Sequence, residues 1–158
     1  MADLRVGIGV DAHALEPGVP LVLGGVRIDH PTGLAGHSDG DVIAHALIDA
    51  IVGPVGLGDI GTLFPSDGST PEGVSSLKLL TEAYSGVRKA GWTLVNADVV
   101  FIGNEPRLGP VRQVMERMLA AALGGDGTVS VRATTTDGLG FTGRGEGLAA
   151  QAVALLMR

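Results

Sequence analysis

Strand-like and helix-like segments alternate along the whole of this 158-residue chain, with no linker, repeat or low-complexity tract between them. That order restricts residues 1–158 to one layered α+β (mixed α/β) domain. "LRVGIGV" (4–10) reads as a strand that ends in "DAH", and "PLVLGGVRI" (20–28) as two short strands about Gly24 and Gly25, a hairpin signal. "DHPTGLAG" (29–36) is a loop. A first helix is predicted from about Gly40 to Val52, with Ser38 as N-cap and Asp41 completing a capping-box pattern. Ile43, Leu47, Ala50 and Ile51 give it an apolar face, and Pro54 ends it. Asp41, His45 and Asp49 share another face by their four-residue spacing.

Residues 56–73 form a long Gly/Pro/Ser loop, of a length that is usually functional or mobile. Beyond it the pattern predicts a helix over about 75–90, a strand over 93–103 and a helix over about 110–123. A strand over 128–136 and a glycine loop over 137–147 follow. The closing "LAAQAVALLMR" has a period that fits a buried strand or a helix.

Aromatic residues make up only 3% of the chain, so the core must be Val, Leu, Ile and Ala. At this length it can bury roughly 68–70% of its unfolded surface. The mean hydropathy of +0.35 is high for so small a chain. Apolar surface hidden between subunits would account for it, and so would an alanine-rich core. Cysteine is absent, which excludes disulfides and thiolate metal sites and fits a reducing compartment. The N-terminus lacks a signal-peptide pattern and no apolar run approaches a membrane span, so a cytoplasmic location and no membrane contact are expected. The net charge is −6, with Lys78 and Lys89 the only lysines, which argues against a nucleic-acid partner. A phosphate-ester substrate would have to be neutralised by metal ions, arginines and backbone N–H groups.

Three segments carry polar residues that a core would not want. Asp11 and His13, at i and i+2 on a strand, lie on one side and make half a metal site; the alternative is a His–Asp hydrogen bond at a strand end. His45 completes an Asp/His/His set, the three-ligand pattern of catalytic zinc, and Asp49 one turn on is placed to orient a ligand imidazole. A lone helical histidine is otherwise a satisfied core residue. In "TTTDGLGFTGRGEG", hydroxyls and free N–H groups at a strand-to-loop junction suit phosphate oxygens. There Asp137 suits a hard cation such as Mg²⁺ or Mn²⁺, and Arg144 reads as an exposed anion clamp with no acidic neighbour in sequence. The alternative is a β-prone Thr run and a solvated turn.

"GVDAHAL", "AGHSDGDVIAHALIDA", "GLGDIGTLFP", "ATTTDGLGFTGRGEG" and "AVALL" resemble, in order and over nearly the whole chain, the 2-C-methyl-D-erythritol 2,4-cyclodiphosphate synthase family. The resemblance implies one mixed sheet packed on about three helices, with a strand at the C-terminus and sheets facing the centre of a homotrimer. It implies an intramolecular phosphoryl transfer that releases CMP, with active sites between subunits. By the matching motif Asp11, His13 and His45 would hold Zn²⁺, and a second cation, Mg²⁺ or Mn²⁺, would bridge the phosphates near Asp137. His37 and Ser38 match residues at the methylerythritol phosphate end, and His37 and Thr135 match residues given catalytic roles. Ala12, Asp59, Ile60, Gly61, Phe64 and Asp67 match substrate contacts, the 59–61 stretch near the ribose. Gly103, Asn104, Glu105, Pro106, Arg107 and Leu108 occupy the place of a cytosine loop. Thr134 and Thr136 flank Thr135 in the phosphate-binding stretch. Phe141 and Arg144 match residues lining a central cavity where an isoprenoid diphosphate is expected.

Three positions depart from the family pattern. Asp137 stands where many members have Glu, "FPSDGS" where many read "FPDTDP", and "NEPR" where the cytosine loop often reads "QxPK". On the residues alone, a zinc-dependent phosphohydrolase and a non-enzymatic, metal-stabilised oligomeric binding protein stay open as other readings.

Overall fold

A computed structural model describes residues 2–158. The strands are β1 (Leu4–Pro17), β2 (Leu21–Leu23), β3 (Val26–Ile28), β4 (Thr32–Leu34), β5 (Thr93–Ile102), β6 (Thr128–Thr134) and β7 (Gly147–Met157). The helices are α1 (Val42–Val52), α2 (Ile60–Leu63), α3 (Ser76–Lys89), α4 (Arg112–Ala122) and α5 (Gly140–Gly143), with a 3-10 turn at Gly53–Val55. Five strands make one sheet in the order β4-β1-β7-β5-β6. Its pairs are antiparallel except β5–β6, which are parallel and joined through α4. The expected mixed sheet with three longer helices, α1, α3 and α4, is thus what forms. The ambiguous last segment is the strand β7, paired on both sides, which explains its apolar run without helical capping.

α1 is buried nearly all round and lies across β1 and β7. Its close approach needs small residues beneath it. A Cβ built on Gly7 would strike the Ala50 carbonyl, and one on Gly9 the Ala46 carbonyl, well inside the 3.0 Å that real Cβ atoms keep. Ala150, Ala152 and Ala154 line the facing side of β7. The larger side chains of β1 therefore point the other way. Val6, Ile8 and Val10 are 69%, 60% and 63% exposed, next to exposed Val153 and Met157 of β7. The outer face of this sheet is apolar and open.

Five expectations change, the first being that the 29–36 loop holds the short strand β4, paired antiparallel with β1. β1 does not end at "DAH" but runs on to Pro17, so Asp11 and His13 sit mid-strand, fixed by pairing with Ala150 and Leu148. The N-cap of α1 is Asp41, not Ser38, and the helix starts at Val42. Asp41 wins because its carboxylate serves two elements at once. It accepts the N–H groups of Ile43 and Ala44 at 3.1 Å, and those of Gly24 and Gly25 in the β2–β3 turn at 2.9 and 2.7 Å. Burial pushes this carboxyl up to about 6, against the pull of those backbone donors. The 56–73 loop holds the turn of helix α2, capped by Asp59. The glycine loop of 137–147 likewise holds α5. No helix among the described residues is long and apolar enough to cross a membrane.

Candidate active site

β1 and α1 bring the three sequence-predicted ligands to one point. His13 Nε2 is 2.9 Å and His45 Nδ1 3.1 Å from Asp11 Oδ2, and the two nitrogens are 3.3 Å apart. A tetrahedral ion with bonds of about 2.0–2.1 Å spaces its ligand atoms about 3.3 Å apart, so this triangle has the size a metal needs. The hydrogen-bond pattern agrees with it. His13 Nδ1 donates to the Ala35 carbonyl at 2.5 Å, so the neutral ring turns its Nε2 lone pair to the cluster and the protonated ring donates from Nε2 to Asp11. His45 Nε2 faces the hydroxyls of Ser76 at 2.8 Å and Ser38 at 3.0 Å. Burial works against ionisation of Asp11, but hydrogen bonds and charge from both histidines hold its carboxyl down at about 2. The Asp11 hydrogen bond in turn raises His13 above the ordinary 6.5.

The triad opens on a cavity that His37, Ser38, Ile60, Gly61, Phe64, Ser66, Thr70 and Leu79 also line. His37 Nε2 donates to the Thr70 carbonyl at 2.6 Å, so its Nδ1 is the free acceptor. Asp59 is exposed and caps α2 through the Thr62 N–H, which lowers its carboxyl. Asp67 turns to Ser69 and is lowered by that contact. Ala12 points to the open face of β1.

Other expected residues lie elsewhere in the chain. Asp49 does not orient an imidazole: it accepts the Ile60 N–H at 2.8 Å and so anchors α2 to α1, and burial raises its carboxyl. A second cavity is lined by Asn104 and Glu105 together with Leu15, His30, Thr32 and Thr142. In that stretch Gly103 bonds the Thr134 carbonyl, Pro106 follows a cis bond, Arg107 is exposed and Leu108 packs into the core. Thr135 donates to Asp137 at 3.1 Å, Asp137 has φ +52°, and Thr136 bonds Thr142. Thr134 ends β6. None of 103–108, 134–137, 141 or 144 lines the cavity of the triad within one chain. Arg144 is not a free clamp, because Glu146 two residues on takes its guanidinium with two contacts, at 2.8 and 3.3 Å. Phe141 is exposed beside it. Sequence reasoning missed Ser76 and Asp39; a serine opening a helix reads as an ordinary cap and carries no metal signal.

The fold and the site define an α+β protein with a three-ligand candidate metal centre at the wall of a cavity. The YgbB family model matches residues 4–157, and the chain belongs to that family. A curated relative from Moorella thermoacetica, named 2-C-methyl-D-erythritol 2,4-cyclodiphosphate synthase, is 53% identical over 98% of this chain and 95% of its own length. The structure of the bifunctional IspDF of Campylobacter jejuni matches with a TM-score of 0.93 at 40% identity, over 99% of this chain and 43% of that one. Plasmodium falciparum IspF, solved as a CDP complex, gives 0.83 at 30% identity over 98% and 96% of the two chains. The resemblance carried by the motifs is borne out over nearly the full length.

Proposed function

We propose that the chain converts 4-diphosphocytidyl-2-C-methyl-D-erythritol 2-phosphate to 2-C-methyl-D-erythritol 2,4-cyclodiphosphate, releasing CMP, in the non-mevalonate route to isoprenoids. The 2-phosphate oxygen attacks the β-phosphorus, and the bond to the α-phosphate oxygen breaks as CMP departs. The observation that carries this reading is the meeting of Asp11 Oδ2, His13 Nε2 and His45 Nδ1 on one cavity wall with His37 and Ser38, in a chain of this family. Two imidazoles and a carboxylate suit Zn²⁺ better than a hard cation. Bound there, the ion would supply Lewis acidity to the diphosphate. His37 and Ser38 then orient the methylerythritol phosphate from beside the triad. Ile60, Phe64 and Leu79 wall the cavity with apolar surface, which disfavours an attacking water and so favours cyclisation over hydrolysis. A structural zinc takes four protein ligands, whereas this cluster offers three, which favours an enzyme over a metal-stabilised binding protein.

The remaining residues we assign to the other half of the site: Thr135 and Asp137, with Mg²⁺ or Mn²⁺, to the phosphates, and Gly103–Leu108 to the cytosine. A homotrimer, with each site completed by a neighbouring subunit, joins the two halves. The open apolar face of Val6, Ile8 and Val10 supports that assembly, with the sheets turned to its centre. Phe141 and Arg144 with its Glu146 partner stand as the residues for an isoprenoid diphosphate there.

The assay is incubation with the diphosphocytidyl substrate, Zn²⁺ and Mg²⁺, followed by phosphorus NMR. CMP together with a cyclic diphosphate is the expected result; CMP alone would mark a hydrolase.

Two further results are expected. Ile8→Asp puts a charge where roughly 1.5–3 kcal/mol of apolar burial would be gained in an assembled interface. Light scattering should find it monomeric while wild type is trimeric, with activity lost alongside; a trimeric variant would remove the sheet face from the interface. Zinc affinity should fall as the pH is lowered. A ligand imidazole must give up its proton, and Asp11 keeps the proton on His13 to a pH above the ordinary 6.5. Asp11, held at about 2, stays ionised through this range and adds nothing to the slope. Chelator competition should thus give a loss of at least about tenfold per pH unit below the pKa of His13; a flat profile through neutral pH would contradict it.

A further inference from the structure

His45 can carry its single neutral-state proton on either ring nitrogen, and only one choice leaves Nδ1 free for a metal. The groups on the Nδ1 side do not select the metal-binding form: Asp11 Oδ2, 3.1 Å from Nδ1, accepts a proton held there in the metal-free site. What favours a free Nδ1 lies on the far side of the ring. Ser76, fully buried at the start of α3, has its hydroxyl 2.8 Å from His45 Nε2 and 2.5 Å from Asp39 Oδ1. Asp39 is an acceptor on every side. Its Oδ1 also takes the Asp41 N–H at 3.2 Å, and its Oδ2 takes the Ser76 N–H at 3.1 Å. Ser76 owns one proton, and the short contact to a carboxylate claims it. Its lone pair is then what His45 meets, so Nε2 must be the donor. Ser38 Oγ, 3.0 Å from the same nitrogen, takes the Gly40 N–H and lies 3.4 Å from Ser76 Oγ, so it is a weaker competitor than the carboxylate for the Ser76 proton.

We propose that Asp39 and Ser76 are positioning residues: an Asp39–Ser76–His45 relay that fixes the Nε2–H tautomer of His45 and turns the Nδ1 lone pair to the metal. The inference rests on the metal reading above. A carboxylate–serine–histidine chain does here what a carboxylate does when it touches a ligand imidazole directly. It also ties two elements to the centre that supply no ligand themselves, the loop before α1 and the first turn of α3.

Asp39→Asn changes no shape and tests the direction of the protons. Its amide NH₂ must replace either Oδ2, facing the Ser76 N–H, or Oδ1, facing the Asp41 N–H and the Ser76 hydroxyl. Either way a donor opposes a backbone donor. The second placement also reverses the relay, so that Ser76 donates to Nε2 and the proton moves to Nδ1. Asp39→Asn and Ser76→Ala are expected to weaken zinc binding roughly 10–100-fold in chelator competition, with the melting of the metal-free protein little changed. In zinc-loaded wild type, ¹⁵N-histidine NMR should find the His45 Nε2 proton downfield and protected from exchange, and upfield in both variants.

Folded variants that bind zinc as tightly as wild type overturn the relay and leave the proposed activity standing. A rapidly exchanging, unshifted Nε2 proton in wild type overturns it as well, even if neither variant folds. A wild-type protein that takes no zinc sinks the relay and the metal reading together.

Discussion

His45→Ala is expected to fold, to hold no stoichiometric zinc and to turn over the diphosphocytidyl substrate at least roughly 10²–10³-fold more slowly. The fold should survive because the packing of α1 does not depend on this ring. Ile43, Leu47, Ile48 and Ile51 are fully buried and carry it, and alanine suits a helix already rich in alanine. The centre should not survive. Two ligand atoms, Asp11 Oδ2 and His13 Nε2, remain 2.9 Å apart, with the third corner of the triangle empty of a donor. The decisive readout is thermal. A ligand at 100 times its Kd stabilises the native state by about 2.7 kcal/mol, so zinc should raise the Tm of wild type and leave the variant where it was. A variant that still gains Tm with zinc and keeps one zinc per chain would mean that the three residues are not the ligand set.

The triad was legible in sequence because each of its residues violates the local pattern: a carboxylate and an imidazole on a strand, an imidazole on an apolar helix. What spacing cannot give is the partner of a side chain. Asp41, His45 and Asp49 do recur every four residues, yet they serve three unrelated tasks. Asp41 locks the β2–β3 turn to α1, His45 joins the triad, and Asp49 holds α2. Ser38 and Asp41 are both good N-caps by type, and the choice between them was made by Gly24 and Gly25, some sixteen residues upstream, whose N–H groups need an acceptor. Arg144 looked free because a pair two residues apart forms only when the turn at Gly145 brings both side chains to one side. The stretches after residue 100 could be matched to a family but not joined to the triad, because none of them lines the cavity of the triad within one chain.

The alternation in "VGIGV" announced a strand, but not which face was inside, and the inside face is the glycine one. Gly9→Ala is therefore expected to be among the most damaging single-methyl changes in the chain. Its Cβ would lie on the Ala46 carbonyl oxygen and 2.9 Å from both the Ala46 carbon and the Ala50 nitrogen. These are backbone atoms of a helix buried nearly all round, so no rotamer change relieves the clash and α1 must move off the sheet. The cost should be on the order of 3 kcal/mol or more, a large share of the roughly 5–15 kcal/mol that holds a domain together. Zinc affinity should fall too, since Gly9 is two residues from Asp11 and Ala46 is next to His45: the methyl pushes apart the two elements that the triad bridges. Gly86→Ala supplies the contrast. That glycine lies inside α3 with only Leu57 near its Cβ position, at 3.4 Å, and alanine there should stabilise by about 0.5–1 kcal/mol through helix propensity. Denaturant melts of the two variants, each with and without zinc, separate a general intolerance of glycine replacement from the specific closeness of β1 and α1. If Gly9→Ala melts like wild type, the helix is not seated on the glycine face, and the short distances within the triad lose their structural cause.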